Sequence, residues 1–325
     1  MGKRILVTGA AGFIGSHVAQ RLLKRGDLVV GLDNLNTYYD PARKRANVAE
    51  VQRSAPDGHA FVCVEGDIRD RKLVDTLFAE YEFDAVAHLA AMAGVRISVE
   101  NPYLYYDVNL TGTLTLLDAA RGCSVGSFTL ASTSSVYGQT QQIPFQETDP
   151  CDRPLAPYAA SKRAAEMLGF TYHHLHGQNV TVLRFFTVYG PRGRPDMMAY
   201  KVLQNIFRGT EVPIYNNGQM HRDWTFVDDI VSGIVAALDH PLGYEIINLG
   251  RGEPVLLADF VRLIEDLSGR KANLIPTAMP ETDIPYTYAA IGKAQSLLGY
   301  DPRVSVEEGV RRFWEWYQLS VLERA

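Results

Sequence analysis

The sequence predicts an α/β protein with a Rossmann-type, doubly wound parallel sheet and a smaller C-terminal α/β substrate-binding domain. Through the first half, short apolar runs alternate with amphipathic stretches, which is typical of parallel strands joined by helical crossovers. A glycine turn, Gly9, Gly12 and Gly15, joins the first apolar run to the first amphipathic stretch. After Gly190 the alternation ends, and loops rich in glycine and proline follow.

The N-terminal half contains an orderly series of elements. Residues 4–8 (RILVT) form a continuous apolar run of strand length, and residues 13–25 carry Ile14, Val18 and Leu22 at helical spacing, which predicts a strand followed by a helix. Long helical segments precede each of the last two strands. The other predicted elements of this half are strands at 28–32, 60–65, 85–89, 128–131 and 181–186, and a helix at 72–81.

Composition narrows the class of protein. The chain has 325 residues, of which 46% are hydrophobic and 21% charged, and this suits a globular protein with a large core. Its net charge of −5 argues against a nucleic-acid partner, because such binding needs a basic face. No stretch reaches the ~20 apolar residues of a membrane helix, and no signal-peptide pattern is present. We therefore expect a cytoplasmic protein that binds neither nucleic acid nor membrane.

No pattern in the chain predicts a metal site. The three cysteines, Cys63, Cys123 and Cys151, lack metal-ligand spacing and are expected to be reduced thiols. Three histidines within residues 173–176 lie at a predicted helix end without a matching carboxylate pattern. We therefore predict no metal.

The glycine turn predicts a bound dinucleotide. It follows a predicted strand and opens a predicted helix, which is the context that gives this spacing its meaning. Gly9 permits the tight turn, Gly12 lets the backbone approach a pyrophosphate, and Gly15 lets the helix pack closely on the strand. The start of the helix, with Phe13 and Ile14, adds free N–H groups and a positive dipole end for the phosphates.

Residues at the ends of the next strands select the cofactor. Asp33 ends the second strand, where a carboxylate accepts hydrogen bonds from the adenosine ribose and repels a 2′-phosphate. Residues 34–36 bring no cation to hold such a phosphate, so we predict NAD rather than NADP. Asp67 and Ile68 follow the third strand and are placed to meet the adenine. An alternative interpretation of Asp67 is a simple loop acid or a helix cap. Further residues expected beside the cofactor are Asn34, Leu89, Ala90 and Ala91.

The end of the regular alternation of apolar and amphipathic segments after Gly190 predicts that the chain has two domains. Residues 1–188 are expected to form the NAD-binding Rossmann domain, with a returning segment at about 223–250. Residues 189–325 are expected to form mainly the substrate domain. The apolar segments predicted in this C-terminal part are 212–215, 224–238, 245–249 and 257–267.

A tyrosine and a lysine form the candidate catalytic pair. Tyr158 and Lys162 lie one turn apart in a predicted helix and therefore share a face. A phenol normally titrates at about 10, but a nearby ammonium and a positive nicotinamide favour the phenolate and move Tyr158 toward base strength at neutral pH. The hydroxyl cluster at residues 132–138 (STSSVYG), at a strand end, can hold the same substrate oxygen.

These features together resemble the extended short-chain dehydrogenase/reductase superfamily over essentially the whole chain. Residues 184–191 (RFFTVYGP) and 216–229 (NNGQMHRDWTFVDD) resemble its nucleotide-sugar branch. Within that branch the chain is most similar to UDP-glucuronate 4-epimerases. Three stretches carry this similarity: residues 36–40 (NTYYD), residues 93–98 (AGVRIS) together with 100–102 (ENP), and residues 186–197, which begin with FT and end with RPDM.

The resemblance implies roles for individual residues. Tyr158 is expected to act as base and then acid on the sugar 4-OH, Lys162 to hold the nicotinamide ribose, and Thr133 to act as the catalytic hydroxyl. Thr187 is the most informative position for the choice of substrate. Hexose 4-epimerases and many related dehydratases usually have asparagine there, whereas a threonine at this position is similar to the glucuronate group. Asn109 is expected close to the cofactor. The expected substrate-binding residues are Arg96, Thr133, Ser134, Ser135, Thr187, Arg194 and Arg222.

The chemistry of the expected intermediate fits this assignment. The 4-keto form of a glucuronate is a β-keto acid, which loses CO₂ readily when its C–CO₂ bond stands perpendicular to the carbonyl plane. An epimerase must therefore hold the carboxylate away from that alignment. Several short hydroxyls and one arginine suit this task.

The sequence thus predicts an NAD-dependent epimerase that converts UDP-glucuronate to UDP-galacturonate through a transient 4-keto intermediate, with Tyr158 as acid and base and retained NAD as hydride carrier. One open alternative is a UDP-glucose 4-epimerase or another 4-keto-forming enzyme, a decarboxylase or dehydratase. The other is a non-catalytic NAD-binding regulator, against which the intact Tyr158 and Lys162 pair argues. The resemblance also implies a homodimer, formed through the helix after Asn101 and the helix that carries Tyr158.

Overall fold

The structure, a computed structural model, describes residues 2–55, 60–123 and 125–322 of the chain. Its strands are β1 Arg4–Thr8, β2 Leu28–Asp33, β3 Phe61–Glu65, β4 Ala85–His88, β5 Ser127–Thr133, β6 Val180–Phe185, β7 Thr187–Tyr189, β8 Glu211–Tyr215, β9 His221–Arg222, β10 Trp224–Phe226, β11 Tyr244–Leu249, β12 Val255–Leu256 and β13 Asn273–Thr277. Its α-helices are α1 Phe13–Arg25, α2 Pro41–Arg53, α3 Arg71–Tyr81, α4 Val95–Glu100, α5 Pro102–Tyr106, α6 Gly112–Gly122, α7 Pro157–His176, α8 Met198–Arg208, α9 Val227–Asp239, α10 Leu257–Ser268, α11 Gly292–Leu298 and α12 Val306–Tyr317. Short 3₁₀-helices lie at Ser134–Tyr137 and Asn216–Gly218, and π-helical turns at Asp107–Thr111 and Gln318–Leu322.

A sheet of seven strands forms the centre of the molecule, in the order β11-β6-β5-β4-β1-β2-β3. Each neighbouring pair in it is parallel, because long crossovers rather than hairpins join its strands. The strand order reverses between β1 and β4, which leaves a crevice at the carboxyl ends of these two strands. The predicted Rossmann-type parallel sheet is confirmed.

The central strands are apolar throughout because helices cover both faces of the sheet. In β1, Ile5 and Val7 pack into a core shared with α1 and α9, whereas Leu6 packs into a second core with α3 and α6. Successive side chains of a strand point to opposite faces, so a strand that is buried on both faces is a continuous apolar run. This explains why RILVT predicted a central strand.

The C-terminal elements form small sheets outside the central one. β7 pairs in parallel with β10, β9 pairs antiparallel with β12, and β8 pairs in parallel with β13. β11, by contrast, extends the central sheet beside β6, so this late segment of the chain returns to the main sheet. The predicted division between residues 188 and 189 remains a prediction.

Most predicted segments agree with the structure to within one residue at each end, and two differ by more. The segment at 224–238 is divided into β10 and α9, because the backbone of Phe226 is extended (φ −67°, ψ 144°) immediately before the helix. The strand predicted at 128–131 continues to Thr133, since β5 remains paired with β6 up to that residue. The longer strand carries the Thr133 hydroxyl to the sheet edge at which the crevice opens.

None of the helices described for this chain combines the length and the apolar character that crossing a bilayer requires.

Candidate active site

The crevice at the carboxyl ends of the central strands is a cavity of about 570 Å³. It extends from the glycine turn after β1, past α7, to the loop after β7. The predicted site residues that line it are Gly9, Gly12, Phe13, Ile14, Gly15, Asp33, Asn34, Asp67, Ile68, Leu89, Ala90, Ala91, Arg96, Thr133, Ser134, Ser135, Tyr158, Lys162, Thr187 and Arg194.

The glycine turn brings backbone so close together that side chains do not fit. Gly9 has φ 71°, and its amide donates to the Leu32 carbonyl oxygen at 2.7 Å. A Cβ on Gly15 would overlap the Gly9 carbonyl group, so glycine is required there. In the described part of the chain no side chain caps α1, whose N-cap is Gly12. The first amides of α1 therefore remain available to an anion, and the turn fits a pyrophosphate.

Asp33 is buried at the end of β2, with 9% of its surface exposed. Its two carboxylate oxygens accept hydrogen bonds from the Ala11 amide at 3.1 Å and the Leu35 amide at 2.9 Å. Burial raises the pKa of Asp33, and the Lys44 charge and the two amides oppose that rise. Each oxygen has a second lone pair, so the carboxylate still has acceptor capacity for a ribose diol.

Lys44 is a cavity residue that the sequence reasoning missed. It lies on α2, and its Nζ donates to the Asn36 side-chain oxygen at 2.9 Å. The strand-end segment itself brings no cation, as the sequence indicated, but α2 places one beside Asp33. The sequence does not reveal that Lys44 lies near Asp33, because the two residues belong to separate elements, α2 and β2.

Asp67 lines the cavity and is also strongly engaged by its neighbours. Its carboxylate accepts hydrogen bonds from Arg69 at 2.8 and 2.9 Å and from the Asn34 amide nitrogen at 2.9 Å. Hydrogen bonds from Arg69 hold the pKa of Asp67 far below its ordinary value. The structure thus shows Asp67 as a loop acid, and its contact with the adenine stays a prediction.

Thr133 and Tyr158 meet at the centre of the cavity. The Thr133 hydroxyl lies beside the Tyr158 phenol, donates to the Ser135 hydroxyl at 3.2 Å and accepts from the Ser135 amide at 3.1 Å. Burial raises the pKa of Tyr158, whereas the neighbouring Thr133 hydroxyl and the positive charge of Arg194 lower it. The sequence reasoning gave this electrostatic role to Lys162 and the cofactor, whereas in the structure the charge that lowers the pKa of the phenol is that of Arg194.

Lys162 lies one turn after Tyr158 and is 2% exposed. Burial lowers its pKa to about 8, and the charge of Glu166 opposes this effect. Glu166 accepts from the Ser132 hydroxyl at 2.5 Å and from two nitrogens of Arg184 at 3.0 and 2.8 Å. The sequence reasoning missed Glu166, although a glutamate four residues after Lys162 on the same helix face was a usable signal. No local spacing relates Glu166 to its partner Arg184.

Asn109 lies one layer behind the cavity, fully buried in the π-helical turn Asp107–Thr111. Its side chain accepts from the Met92 amide at 2.8 Å and donates to the Met92 carbonyl and the Ser161 hydroxyl, each at 3.0 Å. Ser161 donates in turn to the Tyr158 carbonyl at 2.8 Å. Asn109 therefore ties the cavity loop after β4 to α7.

A second cavity of about 110 Å³ adjoins the hydroxyl cluster. Among its lining residues are Ser134, Ser135, Thr187 and Arg222. Burial lowers the pKa of Arg222, and the Asp283 charge opposes this. The predicted residue Arg222 is thus next to the main cavity rather than on its wall.

Arg96 connects two parts of the chain at the cavity. Its guanidinium donates to the Tyr215 hydroxyl at 2.7 Å and to the Asp283 carboxylate at 3.0 Å, and lies 4.2 Å from the centroid of the Tyr215 ring. Both partners line the cavity and both were missed by sequence reasoning. They come from β8 and from the loop after β13, which no local motif relates to residue 96.

Arg194 forms an ion pair with Asp196 inside the cavity. Its Nε donates to one Asp196 oxygen at 3.0 Å and its Nη2 to the other at 2.6 Å. The Tyr38 hydroxyl donates to the second oxygen at 3.1 Å. Neither Tyr38 nor Asp196 was among the predicted site residues, although both lie in stretches that carried the family resemblance.

No metal centre appears among residues 2–55, 60–123 and 125–322: nowhere in them do three or more histidine, cysteine or acidic side chains come together as ligands.

Comparison with known proteins agrees with this geometry. Residues 5–250 match the model of the NAD dependent epimerase/dehydratase family. A UDP-glucuronate 4-epimerase of Thermodesulfobacterium geofontis is 45% identical over 317 residues, which are 97% of this chain and 96% of that protein.

Solved structures of two substrate types share the fold. The crystal structure of UDP-glucuronic acid 4-epimerase from Bacillus cereus, in complex with UDP-glucuronic acid and NAD, has a TM-score of 0.89 at 34% identity and covers 97% of this chain and 99% of that one. The structure of UDP-glucose 4-epimerase from Thermotoga maritima with UDP-glucose has the same TM-score of 0.89 at 31% identity, covering 98% and 99%. The fold alone therefore does not select the sugar.

Proposed function

The chain belongs to the NAD dependent epimerase/dehydratase family, and we propose that it is a UDP-glucuronate 4-epimerase, an isomerase that interconverts UDP-glucuronate and UDP-galacturonate. The observation that carries the proposal is an anion-binding arginine, Arg194, in the same cavity as the candidate base Tyr158, with Thr187, Ser134 and Ser135 lining it too. The 45% identity to a UDP-glucuronate 4-epimerase over nearly both full lengths supports it.

The cofactor is NAD, which when bound supplies the acceptor and donor of hydride at sugar C4. The amides of the glycine turn bind the pyrophosphate and Asp33 binds the adenosine ribose. Phe13, Ile14, Asn34, Asp67, Ile68 and the segment 89–91 complete the walls on the adenosine side. Lys162 holds the nicotinamide ribose. Asn109 contributes from behind, because it fixes the Met92 loop and α7 relative to each other.

Tyr158 moves the proton at the sugar 4-OH. Thr133 lies beside the phenol and is placed to share the same sugar oxygen. The Arg194 charge lowers the pKa of Tyr158 against the opposing effect of burial, so a nearby cation assists proton removal. When the 4-keto sugar has turned over within the site, Tyr158 returns the proton from the same position.

The remaining substrate residues hold the two anionic ends of the UDP-sugar. Arg194, with Thr187 and the serine hydroxyls, holds the sugar carboxylate away from the alignment in which a β-keto acid loses CO₂. Arg96 hydrogen-bonds Asp283, and the charge of Asp283 also acts on Arg222; these two arginines bind the diphosphate. Two guanidinium groups suit this task because each offers a planar fork to phosphate oxygens.

The decisive experiment offers UDP-glucuronate and UDP-glucose separately to the purified protein and resolves the products chromatographically. We expect UDP-galacturonate from the first, with no net formation of reduced nicotinamide. Turnover of UDP-glucose alone would replace the proposal with a hexose 4-epimerase. A pentose product with CO₂ would indicate a decarboxylase, and binding of NAD without turnover of either sugar would indicate a regulator.

We also propose that the protein is a cytoplasmic homodimer. Large apolar side chains are exposed on α5 and α7, including Tyr103, Met167 and Leu175, at 87%, 59% and 64%. Such a surface marks an interface more often than a solvated face. Sedimentation should find a dimer that Met167→Asp converts to monomer and that Leu319→Asp, at an equally exposed leucine elsewhere, leaves intact. A monomeric parent protein would rule the homodimer out.

A further inference from the structure

The guanidinium of Arg194 is held in one plane by Asp196. Two parallel hydrogen bonds join them, from Nε at 3.0 Å and Nη2 at 2.6 Å, and this fork arrangement fixes orientation as well as position. Burial disfavours the ionised carboxylate, but the hydrogen bonds and charge of Arg194 outweigh it and lower the pKa of Asp196. The pair is therefore ionic, and Asp196 offsets part of the Arg194 charge.

Tyr38 holds this ion pair from a distant part of the chain. Its hydroxyl donates to the Asp196 carboxylate at 3.1 Å, and the Arg194 guanidinium lies 5.4 Å from its ring centroid. The ring thus faces the cation, an attractive contact, while the hydroxyl anchors the counter-ion. Both partners of the ion pair are restrained by one phenol.

The position of Tyr38 is itself set by neighbouring residues. Its amide donates to the Asn36 side-chain oxygen at 3.1 Å, and Lys44 donates to that same oxygen at 2.9 Å. A Cβ on Gly94 would lie 2.5 Å from the Tyr38 hydroxyl oxygen, and Gly94 has φ 119°, a conformation that favours glycine. The stretches 36–40, 93–98 and 194–197, which are far apart in sequence, therefore meet at one hydroxyl group.

We propose that Tyr38 and Asp196 are positioning residues for the sugar carboxylate: they fix the Arg194 guanidinium so that its third nitrogen, Nη1, meets the carboxylate in a single orientation. This inference rests on the proposed function. Within the described residues, the hydrogen bonds of Arg194 use only Nε and Nη2, and the side chain lines the cavity. Because Asp196 offsets part of the Arg194 charge, Arg194 selects the carboxylate by direction more than by excess charge.

Orientation matters because of what the 4-keto intermediate can lose. When its carboxylate rotates perpendicular to the C4 carbonyl, the C5–C6 bond breaks and CO₂ leaves. The electron pair of that bond passes into the C4 carbonyl as an enolate, and C5 then takes up a proton. A guanidinium fixed in plane opposes this rotation, whereas one that swings follows the carboxylate. Loosening Arg194 should therefore increase CO₂ release relative to epimerisation.

The test measures a product ratio, CO₂ released per UDP-galacturonate formed, with UDP-glucuronate labelled at C6. Tyr38→Phe removes the anchoring hydroxyl and Asp196→Asn removes the counter-ion. We expect the ratio to rise about tenfold in each, the effect of losing one hydrogen bond to a charged group. Tyr81→Phe and Asp301→Asn are the matched controls, on α3 and before α12, and both should keep the parental ratio. A ratio is independent of how much enzyme is folded, so a merely structural role would leave it unchanged.

An unchanged ratio in Asp196→Asn overturns the proposal, even if its rate falls. Should that variant fail to fold, an unchanged ratio in Tyr38→Phe overturns it, since that change deletes one oxygen and keeps the ring. If the parent protein forms no UDP-galacturonate, the proposed function fails, and the inference is judged by calorimetry instead. The preference for binding UDP-glucuronate over UDP-glucose should then fall severalfold in Tyr38→Phe, and an equal preference rejects it.

Discussion

At the cofactor end of the cavity, backbone makes the site. Gly9, Gly12 and Gly15 bring peptide groups into contact, and the first amides of α1 stay available to an anion. At the sugar end, side chains make the site, and they come from separate segments, as Tyr38 and Arg194 show. A backbone site depends on the absence of side chains, whereas a side-chain site depends on their orientation. Substitutions should therefore act on binding and folding at the first end, and on rate and selectivity at the second.

Tyr158 lies where the two ends meet, and its loss has the largest expected effect. Tyr158→Phe removes the group that carries the proton and should lower turnover by about 10²–10⁴-fold, while the purified protein keeps its NAD. Chromatography of UDP-galacturonate gives the rate, and nucleotide released by acid gives the cofactor content. Tyr172→Phe, on the same helix, should behave like the parent. Near-parental turnover in Tyr158→Phe would show that another residue is the base.

Gly15→Ala tests the backbone end directly. The added Cβ overlaps the Gly9 carbonyl group, so we expect the free energy of unfolding to fall by about 1–3 kcal/mol together with loss of bound NAD. In Gly122→Ala the Cβ meets open space, and the free energy of unfolding should stay the same or rise by about 0.5–1 kcal/mol. Denaturant unfolding of both variants provides the measurement. Equal stability of the two would mean that the turn tolerates side chains after all.

The same contrast decides how much was predictable from sequence. The central sheet and the glycine turn were predictable because their signals are local: a doubly buried strand such as β1 is a continuous apolar run, and the turn needs glycine at fixed spacing. Tyr158 and Lys162 were found in the same way, since one helical turn separates them.

The residues that were missed owe their places to tertiary packing. Lys44 lies near Asp33 because α2 packs against α1 and β3, and Asp283 meets Arg96 from 187 positions further along the chain. Neither pair has a spacing that physical chemistry favours, so only the fold could reveal it. Tyr38 is intermediate: its stretch supported the family resemblance, but its role required the position of Asp196.

Lys162 is a side chain of the site whose charge depends on burial, so its contribution should vary with pH. Burial lowers its pKa to about 8, so the ammonium that we propose to hold the ribose is present below about pH 8 and is lost above it. We expect kcat/KM to decline on the alkaline side from this pH, by about tenfold one unit beyond a single titration. In Lys162→Arg the guanidinium stays charged, so this decline should move to higher pH. If kcat/KM of Lys162→Arg declines at the same pH as in the parent, the decline belongs to the titration of another group.

Thr187→Asn is expected to have the smallest effect, and it tests whether the sugar end acts through selectivity. Thr187 lines both cavities beside the hydroxyl cluster, and an amide there changes the hydrogen bonds offered to the sugar while leaving the cofactor end untouched. We expect the preference for UDP-glucuronate over UDP-glucose, as a ratio of kcat/KM values, to fall about fivefold, the effect of one neutral hydrogen bond. Thr187→Ser keeps the hydroxyl and should keep the preference. If Thr187→Asn instead loses NAD, the two ends of the cavity are coupled, and the division between a backbone site and a side-chain site does not hold.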